Sequence, residues 1–370
     1  MSARVFIWVQ HLLGFGHFAR ARVVAEALRD AGYAVTLASG GATPAEAVPA
    51  GLTFVQLPPA RAKDELFDEL VDADGRLVDQ RWHEGRRDAL LAAFRAAKPD
   101  LLITETYPFG RRLLEFELLA LLAEAKAATP RPSIVASVRD VLQRPRKDAR
   151  AIGMVERARA DYDAIIVHGD PSVVRLEESF AEVAPIAARV RYAGYICADI
   201  RPFDGARREV LVSAGGGAAG GGLMAAALKA RDLSRLRDVP WTFVTGPLTE
   251  ALPERERVTI VRSLPDFRAR LAAAAVSVSQ AGYNTMIETV KARTPAVVVP
   301  FETEREKEQA MRAGVFARRG LVRVVAAAGL DPAMLARAID ETAGTVPPAA
   351  AIDFDGRAGV VQVVRELLQR

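Results

Sequence analysis

One cysteine, Cys197, in 370 residues leaves no partner for an intramolecular disulfide or a thiolate zinc site. A disulfide-stapled secreted scaffold is thereby excluded, and the cytoplasm is the expected location. Long apolar runs are missing too. A membrane-spanning helix needs about 18 or more apolar residues, and the nearest run, Leu113 to Leu122, is broken by Glu115 and Glu117. Met1-Ser2-Ala3-Arg4 leads straight into a short apolar stretch ending at Val9 and does not read as a signal peptide. Charge of one sign is scarce: 50 Lys and Arg stand against 46 Asp and Glu, a net of +4 scattered along the chain. A nucleic-acid protein concentrates its basic residues, so no nucleic-acid partner is expected.

What the chain has is core, half of its residues being apolar, arranged in a repeating order. Val5–Val9 is an apolar run of strand length, as a strand covered on both faces requires. A turn bearing Gly14 and Gly16 follows, then Val23, Val24, Ala27, Leu28 and Ala31 at helical spacing up to Gly32, then a strand over Ala34–Ala38. Such units build parallel sheets. Further strands are expected at Thr53–Leu57, Leu101–Thr104, Ile134–Val138, Ala164–Val167 and Val190–Ala193, with helices at Arg86–Ala97, Leu113–Ala128 and Asp148–Arg159. Lys63 to Glu84, acidic and without period, reads as an excursion. The pattern lapses over Gly194–Arg208 and restarts with a strand at Val210–Ser213, a glycine-rich turn and a helix at Leu223–Asp232. The expected organisation is two Rossmann-like α/β domains, 1–200 and 201–348, with a C-terminal helix in 349–370 that packs back on the first.

Gly14-x-Gly16-x-x-Ala19 and Gly215-x-Gly217-x-x-Gly220 both fit a dinucleotide fingerprint at a strand-to-helix turn, where glycine permits positive φ and close approach to a phosphate. The fingerprint also wants an acid at the end of the next strand. Those strands end in Ala38-Ser39 and Thr245-Gly246, so a nicotinamide enzyme is not expected. Six glycines between Gly215 and Gly222 open a helix at high backbone entropy, which argues for an anion held there rather than for a flexible turn alone.

Ser279-Gln280-Ala281-Gly282-Tyr283-Asn284-Thr285-Met286-Ile287-Glu288, then Thr294-Pro295-Ala296-Val297-Val298-Val299-Pro300, then Glu308-Gln309, resembles the donor half of glycosyltransferase family 28, the family of the peptidoglycan N-acetylglucosaminyltransferase. Gln10 to His17 is similar to that family's glycine-rich acceptor-side loop. The whole chain resembles more closely a group of bacterial predicted glycosyltransferases, through Glu105-Thr106-Tyr107-Pro108-Phe109-Gly110-Arg111, Ser137-Val138-Arg139-Asp140 and His168-Gly169-Asp170-Pro171. The resemblance implies the GT-B architecture: two Rossmann-like domains with parallel sheets facing across a cleft, acceptor mainly on the first and nucleotide-sugar mainly on the second. It also implies that no metal is needed. Asp72-Ala73-Asp74, Asp161-Tyr162-Asp163 and Asp353-Phe354-Asp355 match the Asp-x-Asp of metal-dependent transferases, but none follows a convincing strand end.

The resemblance assigns roles by position. Gly215, Gly216 and Gly217 would hold the diphosphate. Leu264 lies in the segment that reads the base, or in a plain strand-to-helix turn. Ala281, Gly282, Tyr283, Asn284 and Thr285 line the donor. Glu288 would accept the ribose hydroxyls, a strong and selective pairing, although Thr285-x-x-Glu288 is also a capping box. Glu308 and Gln309 would meet the donor sugar, or lie on a surface helix where the peptidoglycan enzyme has paired glutamines. On the acceptor side stand Gly14, Gly16, Arg139, His168 and Asp170. His17, kept neutral by a helix N-terminus, is a candidate general base, or a binding or loop-fixing residue. Glu105 and Asp140, each after a strand on the edge where open sheets hold ligands, are the other candidate catalytic residues. The leucines of 111–119 read as core rather than as a membrane-facing patch, although peripheral membrane contact stays open.

These readings combine into an expected metal-independent, inverting glycosyltransferase. It needs no cofactor beyond its nucleotide-sugar co-substrate, UDP-linked by expectation, and carries the sugar to an unidentified acceptor hydroxyl. The alternatives are a nucleotide-sugar hydrolase on the same scaffold and a non-catalytic nucleotide-sugar-binding protein.

Overall fold

The computed structural model describes residues 2–64, 68–214, 220–246, 252–302 and 307–369. The chain forms two compact units, Met1–Ile196 with Asp355–Arg370, and Cys197–Phe354.

The first unit runs β1 (Arg4–Val9), α1 (Gly16–Asp30), β2 (Ala34–Ser39), β3 (Thr53–Gln56), β4 (Arg61–Ala62), β5 (Leu70–Val71), α2 (Gln80–Ala97), β6 (Leu101–Glu105), α3 (Glu115–Ala127), β7 (Ser133–Arg139), α4 (Asp148–Asp161), β8 (Ala164–His168), α5 (Leu176–Ser179) and β9 (Val190–Tyr192). Seven strands make a parallel sheet in the order β3-β2-β1-β6-β7-β8-β9. Its central strands are mostly apolar and buried because helices cover both faces. Val5, Ile7 and Val9 pack on one side with Phe18, Val24 and Leu28; Phe6 and Trp8 pack on the other with Leu90, Phe94, Leu118 and Leu121. The Lys63–Glu84 excursion contains β5, paired antiparallel with β4 just before it, and the first turn of α2, capped by Asp79, whose side chain accepts from Trp82 N at 2.7 Å.

The second unit runs β10 (Val210–Ser213), α6 (Gly221–Leu233), β11 (Trp241–Val244), β12 (Val258–Val261), α7 (Phe267–Ala273), β13 (Val276–Ser279), α8 (Tyr283–Lys291), β14 (Ala296–Val298), α9 (Glu308–Arg318), β15 (Arg323–Val324) and α10 (Pro332–Thr342). Its parallel sheet has the order β12-β11-β10-β13-β14-β15. Val210, Val212, Phe243 and Val278 bury against Ala227, Leu228, Leu335 and Ile339.

The last helix, α11 (Gly356–Leu368), belongs to the first unit, where Val360, Val363, Val364 and Leu367 join the cluster around Val5 and Phe18. Two glycines permit that packing: a Cβ on Gly356 would stand 2.7 Å from Tyr195 O, and one on Gly359 2.6 Å from Ala193 C.

Each sheet reverses its strand order once, between β1 and β6 and between β10 and β13. Ligands of open α/β sheets bind beyond the carboxyl ends of the strands at such points. Residues 10–17 and Glu105 lie at the first, and residues 280–288 at the second.

Candidate active site

At the first reversal the chain leaves β1 and enters α1 at Gly16 with no side-chain cap on the helix. Neither Gly14 nor Gly16 takes the positive φ that the glycine pattern suggested. His17, in the first turn of α1, places Nδ1 at 2.7 Å from Glu105 Oε1, across the reversal point. Arg20, one turn along α1, also donates to Glu105 Oε1 and lies 3.3 Å from His17 Nδ1. A carboxylate only accepts, so the Nδ1–Oε1 contact puts the ring proton on Nδ1 and leaves the lone pair on Nε2. His17 keeps 18% of its side chain exposed, while Glu105 and Arg20 keep 2% each.

The protonation states follow from this environment. Burial would raise the Glu105 carboxyl, but His17, Arg20 and Arg111 together hold it well below the usual carboxylate range. Burial, reinforced by the Arg111 charge, pushes His17 down to about 3 against the pull of Glu105. The pair is therefore a neutral imidazole on an ionised carboxylate.

Arg111 reaches the site from a loop bent by two non-glycine residues in the left-handed region, Thr106 at φ 67° and Arg111 itself at φ 65°. Such conformations cost about 1–3 kcal/mol each and persist where surrounding contacts impose them. Arg111 Nη2 lies 3.5 Å from Glu105 Oε2. His168, at the end of β8, is fully buried with Nε2 at 2.7 Å from Ser137 Oγ; burial and then the Arg20 charge push it down to about 3. Arg139 pairs in register with His168, and its charge is felt by His17 and Arg111.

Asp140 and Asp170 serve their own backbones. Asp140 is buried and accepts from Val141 N at 2.9 Å; Asp170 accepts from Ser172 N at 2.8 Å in a turn that also takes Val173 N and Val174 N on its carbonyl. A Cβ on Gly169 would stand 2.9 Å from Asp140 Cβ.

At the second reversal, a cavity of about 570 Å³ is lined by Asp199, Arg201, Leu264, Asp266, Arg268 and Glu288, among others. Leu264 O accepts from Phe267 N at 3.2 Å, closing the turn into α7. Glu288, in the last turns of α8, accepts from Arg268 Nε at 2.8 Å. The capping-box alternative for Thr285 and Glu288 is corrected: α8 opens at Tyr283 behind Gly282, without a side-chain cap, so Thr285 is already inside the helix, where its carbonyl accepts from Thr289 Oγ1 at 2.6 Å. Asn284 is half-buried in the first turn.

Ala281 and Tyr283 are buried, and both meet Arg312, whose Nη1 donates to Ala281 O at 3.2 Å and whose guanidinium lies 5.6 Å from the Tyr283 ring centre. Arg312 also holds Glu308 at 2.7 Å, one turn away on α9, with both side chains buried. The Glu308 carboxylate is thus tied into α9 rather than standing on its surface. Gln309 Oε1 accepts from Phe301 N at 3.1 Å. Gly215, Gly216 and Gly217 lie outside the described residues.

Among the described residues no group of three His, Cys, Asp or Glu is placed to hold a metal, and no helix is long and apolar enough to cross a membrane. The three Asp-x-Asp pairs have local partners: Asp72 accepts from Asp74 N and Arg76 N, Asp163 from Ile134 N, and Asp355 caps α11 through Ala358 N. In segment 111–119, Leu114 and Leu118 are core and Leu119 is 39% exposed. Arg20, Arg111 and Arg268 were not anticipated as site residues. Two local signals were present: Arg111 closes the motif that begins at Glu105, and Arg20 stands three residues after His17 and so on the same helix face.

The whole chain has the fold of the GT-B glycosyltransferases. It superposes over its full length on Phytolacca americana UGT2, solved with UDP-2-fluoroglucose and pterostilbene, at TM-score 0.63 and 16% identity, covering 94% of that chain. Acinetobacter baumannii MurG matches 98% of this chain and 99% of its own at TM-score 0.58 and 14% identity. Streptomyces nogalater SnogD, a glycosyltransferase, matches over the full length and 96% of its own chain at TM-score 0.58 and 18% identity. No curated protein matches the chain in sequence. Residues 223–346 match the glycosyltransferase family 28 C-terminal domain. Fold and domain together are those of a GT-B glycosyltransferase.

Proposed function

We propose that this protein transfers a sugar from a nucleoside diphosphate donor, UDP-linked by preference, to an acceptor hydroxyl, with inversion and without a metal ion. The observation that carries this reading is the neutral His17 fixed through Nδ1 on the ionised Glu105. Nε2 accepts the acceptor's hydroxyl proton while that oxygen bonds to the anomeric carbon from the face opposite the leaving group. The bond from the anomeric carbon to the diphosphate breaks, and its electron pair leaves with the nucleotide. Glu105 stabilises the imidazolium as it forms, so it is an orienting partner and not itself the base.

On the second unit, Glu288 accepts the ribose hydroxyls at the rim of the 570 Å³ cavity, exchanging part of its pairing with Arg268, and the Leu264 backbone meets the base. The residues around Gly215 and the uncapped start of α6 supply backbone N–H groups to the departing diphosphate. A cytoplasmic location, where nucleotide-sugars are made available, accords with this role.

Calorimetric titration with UDP, GDP, CDP, dTDP and ADP, with and without EDTA, tests the reading. Selective UDP binding that survives EDTA and collapses in Glu288→Ala is expected. Absence of binding to every nucleotide in a folded sample refutes the donor site. Disappearance of UDP-sugar without any acceptor shifts the activity to hydrolysis, and binding without turnover in any assay shifts it to a sensor.

A further inference from the structure

The first unit contains a guanidinium whose position the reaction above does not use. Arg111 is nine-tenths buried, yet its Nε and Nη2 make no hydrogen bond. These two nitrogens form the side-on edge of the guanidinium, whose parallel N–H bonds match a pair of oxygens on one centre. The chain uses that edge elsewhere. Arg86 grips Glu117 through Nε at 2.6 Å and Nη2 at 2.9 Å, and Arg95 grips Glu124 through the same atoms at 2.8 Å each.

At Arg111 the carboxylate in reach is Glu105, which makes an ion pair with Nη2 but no such two-point grip. Glu105 Oε1 is occupied by His17 and Arg20, and Oε2 stands 3.5 Å from Nη2 without hydrogen-bond geometry. Native proteins rarely leave buried donors unmet, and each exception calls for an explanation such as strain, catalysis or a bound ion. Burial together with repulsion from Arg139 and Arg20 outweighs the pull of Glu105 and lowers Arg111 to about 10, so three guanidinium charges share that one carboxylate. The uncapped N-terminus of α1 adds partial positive charge beside His17.

We propose that the acceptor carries an oxyanion, a phosphate ester or a carboxylate, which the Nε–Nη2 edge of Arg111 grips beside His17. This rests on the first unit being the acceptor side, as the proposed function has it. An anion there also has a chemical consequence. It neutralises the Arg111 charge, which after burial is the next cause depressing His17, and so raises the imidazole toward a more effective base only when acceptor is bound.

The experiment uses the full chain saturated with UDP, so that its phosphate site is filled, and titrates phenyl phosphate, benzoate and benzyl alcohol. One anion, or both, is expected to bind at least tenfold tighter than the alcohol, with affinity falling as salt rises; the stronger of the two identifies the source. Arg111→Gln is expected to lose at least tenfold of that anion affinity. Arg111→Lys, which keeps charge but not the fork, loses part and serves if the glutamine variant does not fold. Arg95→Gln leaves anion binding unchanged. The His17 imidazole, followed by ¹⁵N NMR, is expected to titrate at higher pH with the anion bound. Equal binding of alcohol and anions, or anion binding indifferent to Arg111, overturns the inference. Failure of UDP itself to bind overturns the transferase reading while leaving the anion result to be judged separately.

Discussion

Glu117→Gln tests how the candidate site is held in place. Glu117 and Arg86 are both fully buried and paired at 2.6 and 2.9 Å, with Trp8 Nε1 donating to the same carboxylate at 3.0 Å. Arg86 also donates to Gly40 O at 2.9 Å, Pro58 O at 2.7 Å and Gln10 Oε1 at 2.7 Å. Glutamine keeps the shape and one acceptor oxygen, but it turns an NH₂ toward an Arg86 donor and leaves the guanidinium without a counter-charge. Removing one member of a buried pair costs about 3–5 kcal/mol. With a urea m-value of about 3 kcal/mol/M for a unit of this size, the midpoint falls by about 1–1.7 M. Tryptophan fluorescence follows it, since Trp8 and Trp82 lie in the first unit and Trp241 in the second. The double variant Arg86→Met/Glu117→Leu is expected to recover little, because Gly40, Pro58 and Gln10 each lose a donor. A loss below about 1 kcal/mol in Glu117→Gln, or a double variant as stable as the parent, refutes the reasoning.

Three further outcomes are expected. His17 and His168 stay neutral in the folded chain down to about 3 but protonate near the usual 6.5 when unfolded. Stability is thus full above pH 6.5 and lost as pH falls, with a slope approaching about 2.7 kcal/mol per pH unit for two protons; urea midpoints between pH 6.5 and 4.5 measure it, and His168→Asn removes about half the slope. Glu105→Gln lowers turnover by about two to four orders of magnitude with donor affinity little changed, by analogy with losing the orienting acid of other imidazole bases; steady-state kinetics with the identified donor decides. Gly359→Ala, which improves helix propensity by about 1 kcal/mol on an open helix, instead lowers the thermal midpoint here, since its Cβ meets the Ala193 backbone.

The sheets were legible because parallel strands buried on both faces are continuous apolar words: Val5–Val9 and Ala164–Val167 each lie within observed strands. The excursion was not. The first turn of α2, from Gln80 to Glu84, carries a helix cap but no apolar period, and β4 and β5 are two residues each. Within the site, His17 and Glu105 stood at strand exits and could be picked out by topology alone. Which of them holds the other is a tertiary fact. It depends on Arg20 and on Arg111, whose left-handed backbone and buried fork have no signature in a sequence full of arginines. Glu308 was misleading for a related reason: its partner Arg312 is visible at helical spacing, but burial of the pair against Ala281 is not.

The return of α11 to the first unit makes that unit discontinuous in the order of synthesis. Its last helix emerges from the ribosome only after residues 197–354 have been translated. At about 5–20 residues per second, the β1–α1 region waits on the order of fifteen to seventy seconds for the leucine and valines that cover it. During that interval Val5, Val24 and Leu28 lack part of their packing, while the second unit, continuous in sequence, can already close. A nonsense codon just after the second unit would therefore damage the half of the protein made first.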